Sequence, residues 1–352
     1  MKKVVVALSG GVDSSVAAAL LVEQGYQVVG ATMRLWSAPG AEQENRCCTP
    51  ETRSLAARLA EKLSIPFAVL DERETFRKIV VRQFLDGYTR GETPNPCVTC
   101  NRFLKWGALW DYAMSIGADY LATGHYARVL ARPEGLSELW KGRDPGKDQT
   151  YFLSMLTQEQ LAHTLFPLGE LRKTDVRELA RERGLPAADQ PESQDLCFLG
   201  ERDYRDFLAE YAPEAVQPGL ITDRSGKVLG AHQGLAFYTI GQRKGLPAAA
   251  QALYVWQKDI GNNRLVVCPA EELGASSLRA SGINWISGSV PSAEFQAEVK
   301  IRFRAALAGA VVLPQPDGSV LVRFKKPLRD ITPGQLAVFY QGEQVLGGGW
   351  IV

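Results

Sequence analysis

Along the first part of the chain, short apolar runs alternate with stretches whose apolar residues recur at helical spacing. Val4 to Leu8, in "KKVVVAL", is a β-branched run without polar interruption, as expected of a strand buried on both faces. Ser14 to Gln24 is rich in Ala and Leu and stops at Gly25, which predicts a helix with a glycine terminus. "YQVVGATM" predicts a second strand, "ETRSLAARLAEKL" a helix, "FAVLD" a third strand and "ERETFRKIVVRQFLDGYTRG" a long helix. "RFLKWGALWDYAMSIG" reads as a further helix and "DYLATGHYARVL" as a further single strand. Strand–helix alternation of this kind implies a parallel sheet with helices on both faces. After about Tyr211 helical spacing nearly vanishes. Runs such as "LITDRSGKVLG", "ALYVWQKDIGNNRLVV", "FQAEVKIRFR" and "SVLVRFKKPL", divided by Gly, Pro, Asn and Asp, predict one or two small β-rich, barrel-like units. The mixed charges of "TDVRELARERG" read as the solvated face of a helix.

Length agrees with this division, because 352 residues exceed one typical core. Hydrophobic residues at 45% and charged residues at 22% are ordinary for a soluble protein, and no run of about 18 apolar residues could span a membrane. The basic start reaches glycines and Asp13 too early for a signal peptide, so cytoplasm is the expected location. A net charge of +1 carries no polyelectrolyte signature, although "GQRKG", "KIRFR" and "RFKKPLR" form local basic patches. Six cysteines (Cys47, Cys48, Cys97, Cys100, Cys197 and Cys268) suggest metal or sulfur chemistry in a reducing compartment more than disulfides.

The chemistry starts at "SGGVDSS", between the first strand and the first helix. It lacks the lysine of G-x-x-x-x-G-K-[ST], and the dinucleotide fingerprint is absent too. What remains is a Ser-Gly-Gly turn whose amides can form an anion-holding nest, at a helix N-terminus suited to pyrophosphate. The motif resembles the pyrophosphate loop of the N-type ATP pyrophosphatase (PP-loop) superfamily, whose members cleave ATP between the α and β phosphates, adenylate an oxygen and expel AMP.

Within that superfamily the cysteines discriminate. Cys97 and Cys100 form a C-x-x-C unit in "TPNPCVTCNRFLKWG", and Cys197 lies in "ESQDLCFLGERDYRDFL", each in a loop before a helix, where a thiol has a lowered pKa. Together with "ADYLATGHYAR", "KDQTYFLSML", "YTIGQRKGL" and "RDITPGQLAVFYQGEQVLGGGWI", these motifs resemble, in order and across nearly the whole chain, the tRNA-specific 2-thiouridylases. The resemblance implies an α/β parallel-sheet PP-loop catalytic domain over 1–211, a central β-rich tRNA-contacting domain over 212–280 and a C-terminal β-barrel over 281–352. It implies a monomer that uses ATP with Mg2+ to thiolate the wobble uridine of lysine, glutamate and glutamine tRNAs at its 2-position, with sulfur from an upstream donor protein or sulfide. ATP contacts carry over to Ala7, Leu8, Ser9, Gly10, Gly11, Val12, Asp13, Ser14, Met33 and Gly124. Contacts with tRNA carry over to His125, Lys147, Asp148, Gln149, Arg302, Phe303 and Gln335, and the target base to Asn95, Pro96 and Cys97. The family's nucleophile maps to Cys100 and its persulfide carrier to Cys197.

One position departs from the family pattern: P-N-P-D-x-x-C becomes P-N-P-C-x-x-C, with Cys97 in place of the aspartate. The reading preferred on these residues is that Cys97, Cys100 and Cys197 ligate three irons of a [4Fe-4S] cluster whose open iron presents sulfide. A persulfide relay without a cluster is the alternative. Two rival functions remain: an adenylating enzyme for a small metabolite, and an RNA-binding protein on a degenerate nucleotide fold. The first has no use for the basic β-rich extension, and the second should have lost Asp13 or the paired glycines. Elsewhere the bland readings hold: Cys268 is a buried small hydrophobe, His163 packs or caps, and Tyr238 fills a β core.

Overall fold

A computed structural model describes the chain except residues 38–49, 134, 189–195 and 201. Cys47 and Cys48 lie outside the described residues. The strands expected near the N-terminus form as β1 (Lys3–Ala7), β2 (Gln27–Arg34) and β3 (Phe67–Asp71), with α1 (Val12–Glu23) and α2 (Pro50–Lys62) between them. The expected single strand over 119–130 is instead two. β4 (Tyr120–Ala122) ends at Thr123, and β5 (Ala127–Ala131) pairs with β6 (Ser137–Lys141) in a hairpin of another sheet. At the interruption the chain passes against the start of α1, an approach that requires glycine, because a Cβ on Gly124 would stand 2.7 Å from the backbone nitrogen of Ser14.

With β7 (Thr164–Leu165), the parallel sheet runs β3-β2-β1-β4-β7. Its register, Lys3 opposite Gln27 through Ala7 opposite Ala31, leaves β2 running three residues beyond the C-terminal end of β1. Strand order reverses between β1 and β4, and the crevice at such a switch point is where open α/β sheets bind ligands. Val4, Val5 and Val6 are fully buried and α1 buries Val16, Ala17 and Ala18, so small residues let helix and sheet approach closely. Three helical segments, Arg73–Phe76, Arg77–Val81 and Arg82–Thr89, run on as the predicted long helix, and Pro96–Cys100 continues likewise through Asn101–Leu109 to Ser115. The segments Arg77–Val81 and Asn101–Leu109 are wide-turned, with i→i+5 bonding.

Beyond Tyr211 the chain is β-rich, as expected. β8 (Gly219–Asp223), β9 (Val228–His232), β10 (Leu253–Asp259) and β11 (Arg264–Pro269) make a four-stranded sheet in the order β10-β11-β8-β9. Cys268 is buried in it, and Tyr238 packs against its small core. β12 (Ala275–Trp285), β13 (Phe295–Lys300), β14 (Ala308–Pro314), β15 (Val320–Leu328), β16 (Leu336–Gln341) and β17 (Gln344–Ile351) close into a barrel through the β12–β17 pairing. The α/β unit and the barrel share material. β6 pairs with β17, and one apolar cluster joins Val98, Trp106 and Tyr151 to Leu336, Val338, Tyr340 and Val345. No helix among the described residues is long and apolar enough to cross a membrane.

Candidate active site

Backbone and hydroxyls hold the glycine loop in shape. Gly10 has φ +75°, a region costly for any residue with a Cβ, and a Cβ there would lie 2.4 Å from the carbonyl oxygen of Thr52. Ser14 Oγ donates to the Gly11 carbonyl at 3.1 Å, Ser15 Oγ donates to the same oxygen at 2.9 Å, and the Ser9 amide donates to Ser14 Oγ at 3.2 Å. The polar side chains thus fold the loop back on itself. Leu8 and Val12 are buried, anchoring it at either end. Across the crevice, Gly124 lies against Asp13 and Ser14, so the two sequence-predicted halves of the nucleotide site meet. Met33, at the end of β2, packs between the cores on either side.

Asp13 is the charged centre of this loop. Lys173 Nζ donates to both of its carboxylate oxygens, at 2.6 and 2.8 Å, and Tyr126 Oη donates to Oδ1 at 2.9 Å. Neither Lys173 nor Tyr126 stands out in the sequence. Lys173 opens the helix that reads as merely solvated, and the one available signal was the lysine missing from the loop itself.

His125 is only 8% exposed, so its ring is covered where an RNA contact was expected. The Lys105 ammonium, which can only donate, lies 3.3 Å from Nε2, leaving the Nδ1 hydrogen to donate to Thr123 Oγ1 at 2.6 Å. Burial first, and the Lys105 charge second, push this imidazole well below the usual histidine range, and it stays neutral. Asp148 is also buried, its Oδ1 accepting from the Gly142 and Thr150 amides and from Thr150 Oγ1. Gln149 ties down Tyr126 in both directions, accepting from its amide and donating its own amide to its carbonyl, both at 3.0 Å. Lys147 is half-buried in the same loop.

The "TPNP" loop is stapled to the barrel. Gln335 Nε2 donates to the Thr93 carbonyl at 2.8 Å and the Thr93 amide donates to the Pro333 carbonyl at 2.9 Å. Asn95 caps the helix Pro96–Cys100 through the Val98 amide, with Pro96 at its first position. Arg302 donates to the Ile240 carbonyl at 2.9 Å and to Thr332 Oγ1, and its Nε is buried without a partner. Arg302 and Gln335 line a cavity of about 430 Å³ with Thr93, Thr239, Ile240, Gly241 and Gln242, at the junction of all three units. Phe303 lies 4.4 Å, centroid to centroid, from Phe152.

The thiols divide in a way the sequence did not foretell. Cys100 and Cys197, the latter in the short turn Cys197–Leu199, both pack against one apolar cluster containing Phe76, Phe84, Leu104, Phe198 and Phe207. Cys97 is exposed on the first turn of its helix. Among the described residues no three His, Cys, Asp or Glu side chains gather as a metal site. The expected [4Fe-4S] ligand set of Cys97, Cys100 and Cys197 therefore does not fit this arrangement, because three ligands must converge on one cluster.

A glycine nest at the switch point of a parallel sheet, followed by a β-rich sheet and a closed barrel, defines a nucleotide-using enzyme of the PP-loop superfamily. Three family models match: the tRNA methyl transferase HUP domain over residues 2–201, the tRNA methyl transferase PRC-barrel domain over 205–269 and the aminomethyltransferase beta-barrel domain over 275–351. Full-length relatives carry a different activity in their names. The tRNA-specific 2-thiouridylase MnmA of Magnetococcus marinus is 47% identical over 354 residues, covering 100% of this chain and 99% of that protein. That of Carboxydothermus hydrogenoformans is 48% identical over 355 residues, covering 99% and 97%. The glycine loop agrees with the relatives' names, since an amide nest suits a polyphosphate. The chain belongs to the tRNA-specific 2-thiouridylase family.

Proposed function

We propose that the protein uses ATP to activate the 2-carbonyl oxygen of the wobble uridine of lysine, glutamate and glutamine tRNAs, and replaces that oxygen with sulfur. A uridine carbonyl is a poor electrophile with a poor leaving group. Attack of that oxygen on the α-phosphorus, with departure of pyrophosphate into the glycine loop, turns it into part of AMP, which sulfur then displaces. The glycine turn and the N-terminus of α1 suit the departing pyrophosphate, Met33 and Gly124 border the nucleotide, and Asp13 would hold the Mg2+ that neutralises phosphate charge. The target base sits beside Asn95, Pro96 and Cys97, flipped out of the anticodon stack. Lys147, Gln149, Arg302, Phe303 and Gln335 contact the RNA, while buried His125 and Asp148 act by shaping its binding surface.

For the sulfur step a persulfide relay is the better reading. The terminal sulfur of a Cys197 persulfide bonds to C2 of the base, and AMP leaves with the oxygen. The Cys100 thiolate then attacks the Cys197 sulfur, the 2-thiouridine departs, and the resulting disulfide is reduced by external thiol. Support comes from one observation above all: Cys100 and Cys197 flank the same apolar cluster, whereas Cys97 is exposed. The test is a single turnover with iron-free protein carrying labelled sulfur on Cys197. Transfer of one label per protein to tRNA, dependent on ATP, is expected, and transfer only after iron and sulfide are restored would refute the relay.

A further inference from the structure

We propose that Lys173 is a nucleotide-contacting residue of this site, the cation that binds the β- and γ-phosphates of ATP. The inference rests on the glycine loop being an ATP site. A triphosphate brings about four negative charges, of which a helix N-terminus offsets roughly half a charge. The loop supplies no lysine of its own, and it contains Asp13, whose carboxylate by itself repels phosphate.

Lys173 answers both difficulties. Its ammonium holds both oxygens of Asp13, and its side chain is 9% exposed, against 33% for Asp13. The backbone places it firmly. Lys173 is the first residue of the ten-residue helix Lys173–Glu182, which packs on α1, and its amide donates to Asp144 Oδ2 at 2.9 Å. The Tyr126 ring flanks the ammonium at 5.7 Å. An ammonium carries three donors, so when the Asp13 carboxylate turns to Mg2+, the hydrogens it accepted pass to phosphate oxygens with no movement of the backbone. The geometry also states which phosphates. Asp13 stands on the first turn of α1, where the leaving pyrophosphate belongs, so the cation acts on the two phosphates that AMP lacks.

A purely structural lysine, pinning the two helices together, would support every nucleotide alike. Binding of Mg·ATP and of AMP to the full chain therefore separates the roles. Lys173→Gln should weaken Mg·ATP at least tenfold and change AMP binding by less than twofold, and Lys173→Arg should recover part of the loss. Equal losses for ATP and AMP, or no loss for ATP, overturn the assignment while leaving the ATP site standing. Failure of the unaltered protein to bind ATP at all overturns both. Should Lys173→Gln not fold, the unaltered protein answers through an adenosine polyphosphopyridoxal probe, whose aldehyde lies beyond the β-phosphate. After borohydride reduction, label on Lys173 that ATP suppresses is the expected result, and label confined to other lysines overturns it.

Discussion

Gly10 and Gly11 are adjacent, equally small and equally part of the motif, yet their backbones make opposite demands. At Gly10 the φ of +75° costs a residue with a Cβ about 1–2 kcal/mol. The Cβ would also meet the Thr52 carbonyl carbon and oxygen at 3.0 and 2.4 Å, and backbone must shift to relieve that, at about 1–3 kcal/mol more. Gly10→Ala should thus destabilise the α/β unit by about 2–5 kcal/mol. Gly11 has φ −90°, and its Cβ would approach only Ser9 Oγ, at 3.4 Å. Losing a glycine at this capping position costs of order 1 kcal/mol, and the stiffer unfolded chain returns about 0.4–1. Gly11→Ala should be close to neutral. Urea unfolding of the two variants beside the unaltered chain, read as the shift in midpoint, measures the contrast. Equal midpoints for Gly10→Ala and Gly11→Ala would refute the steric account of the loop.

Three further outcomes are expected. Burial keeps His125 neutral, so its folded pKa lies below the unfolded one and the unfolded chain binds more protons as pH falls below about 6.5. Wild type should therefore lose stability between pH 6.5 and 5.5 by about 1 kcal/mol more than His125→Asn in parallel unfolding curves, and superimposable pH dependences would contradict this. Lys258 Nζ is buried without a hydrogen-bond partner, and burial pushes its pKa down to about 8. Lys258→Met should stabilise the protein by about 1–3 kcal/mol at pH 7, a gain that shrinks above pH 8 as the lysine loses its proton, and destabilisation at pH 7 would contradict it. Cys97→Asp should keep thiolation activity, whereas Cys100→Ser and Cys197→Ser should abolish thiolation yet retain tRNA-dependent release of pyrophosphate, which precedes the sulfur step. Loss of thiolation in Cys97→Asp would argue for a three-cysteine centre.

Period and punctuation made much of this architecture readable. The β-branched run at the N-terminus became the buried strand β1, and the glycine loop fell between strand and helix because both its neighbours are unambiguous. What escaped was set by contacts distant in sequence. Nothing in "DYLATGHYARVL" shows that its middle must arch over Ser14, so one expected strand became two. Lys173 lies 160 residues from the carboxylate it meets, and its own neighbourhood is a charged helix face like many others. His125 follows the strand end where ligands bind, but its burial depends on Lys105, Thr123 and Trp106. For the cysteines, softness and spacing suggested a common metal, whereas the exposure of each thiol depends on which helix face meets the aromatic cluster, a tertiary property.

The central claim is that ATP is split between its α and β phosphates in order to activate the uridine oxygen. Thiolation in water enriched in ordinary oxygen, of a tRNA whose wobble uridine carries an 18O-labelled 2-oxygen, tests it in one experiment. The account predicts one AMP and one pyrophosphate for each 2-thiouridine formed, with the heavy oxygen in the phosphate of AMP. ADP and phosphate as products, or AMP free of the label, would contradict it.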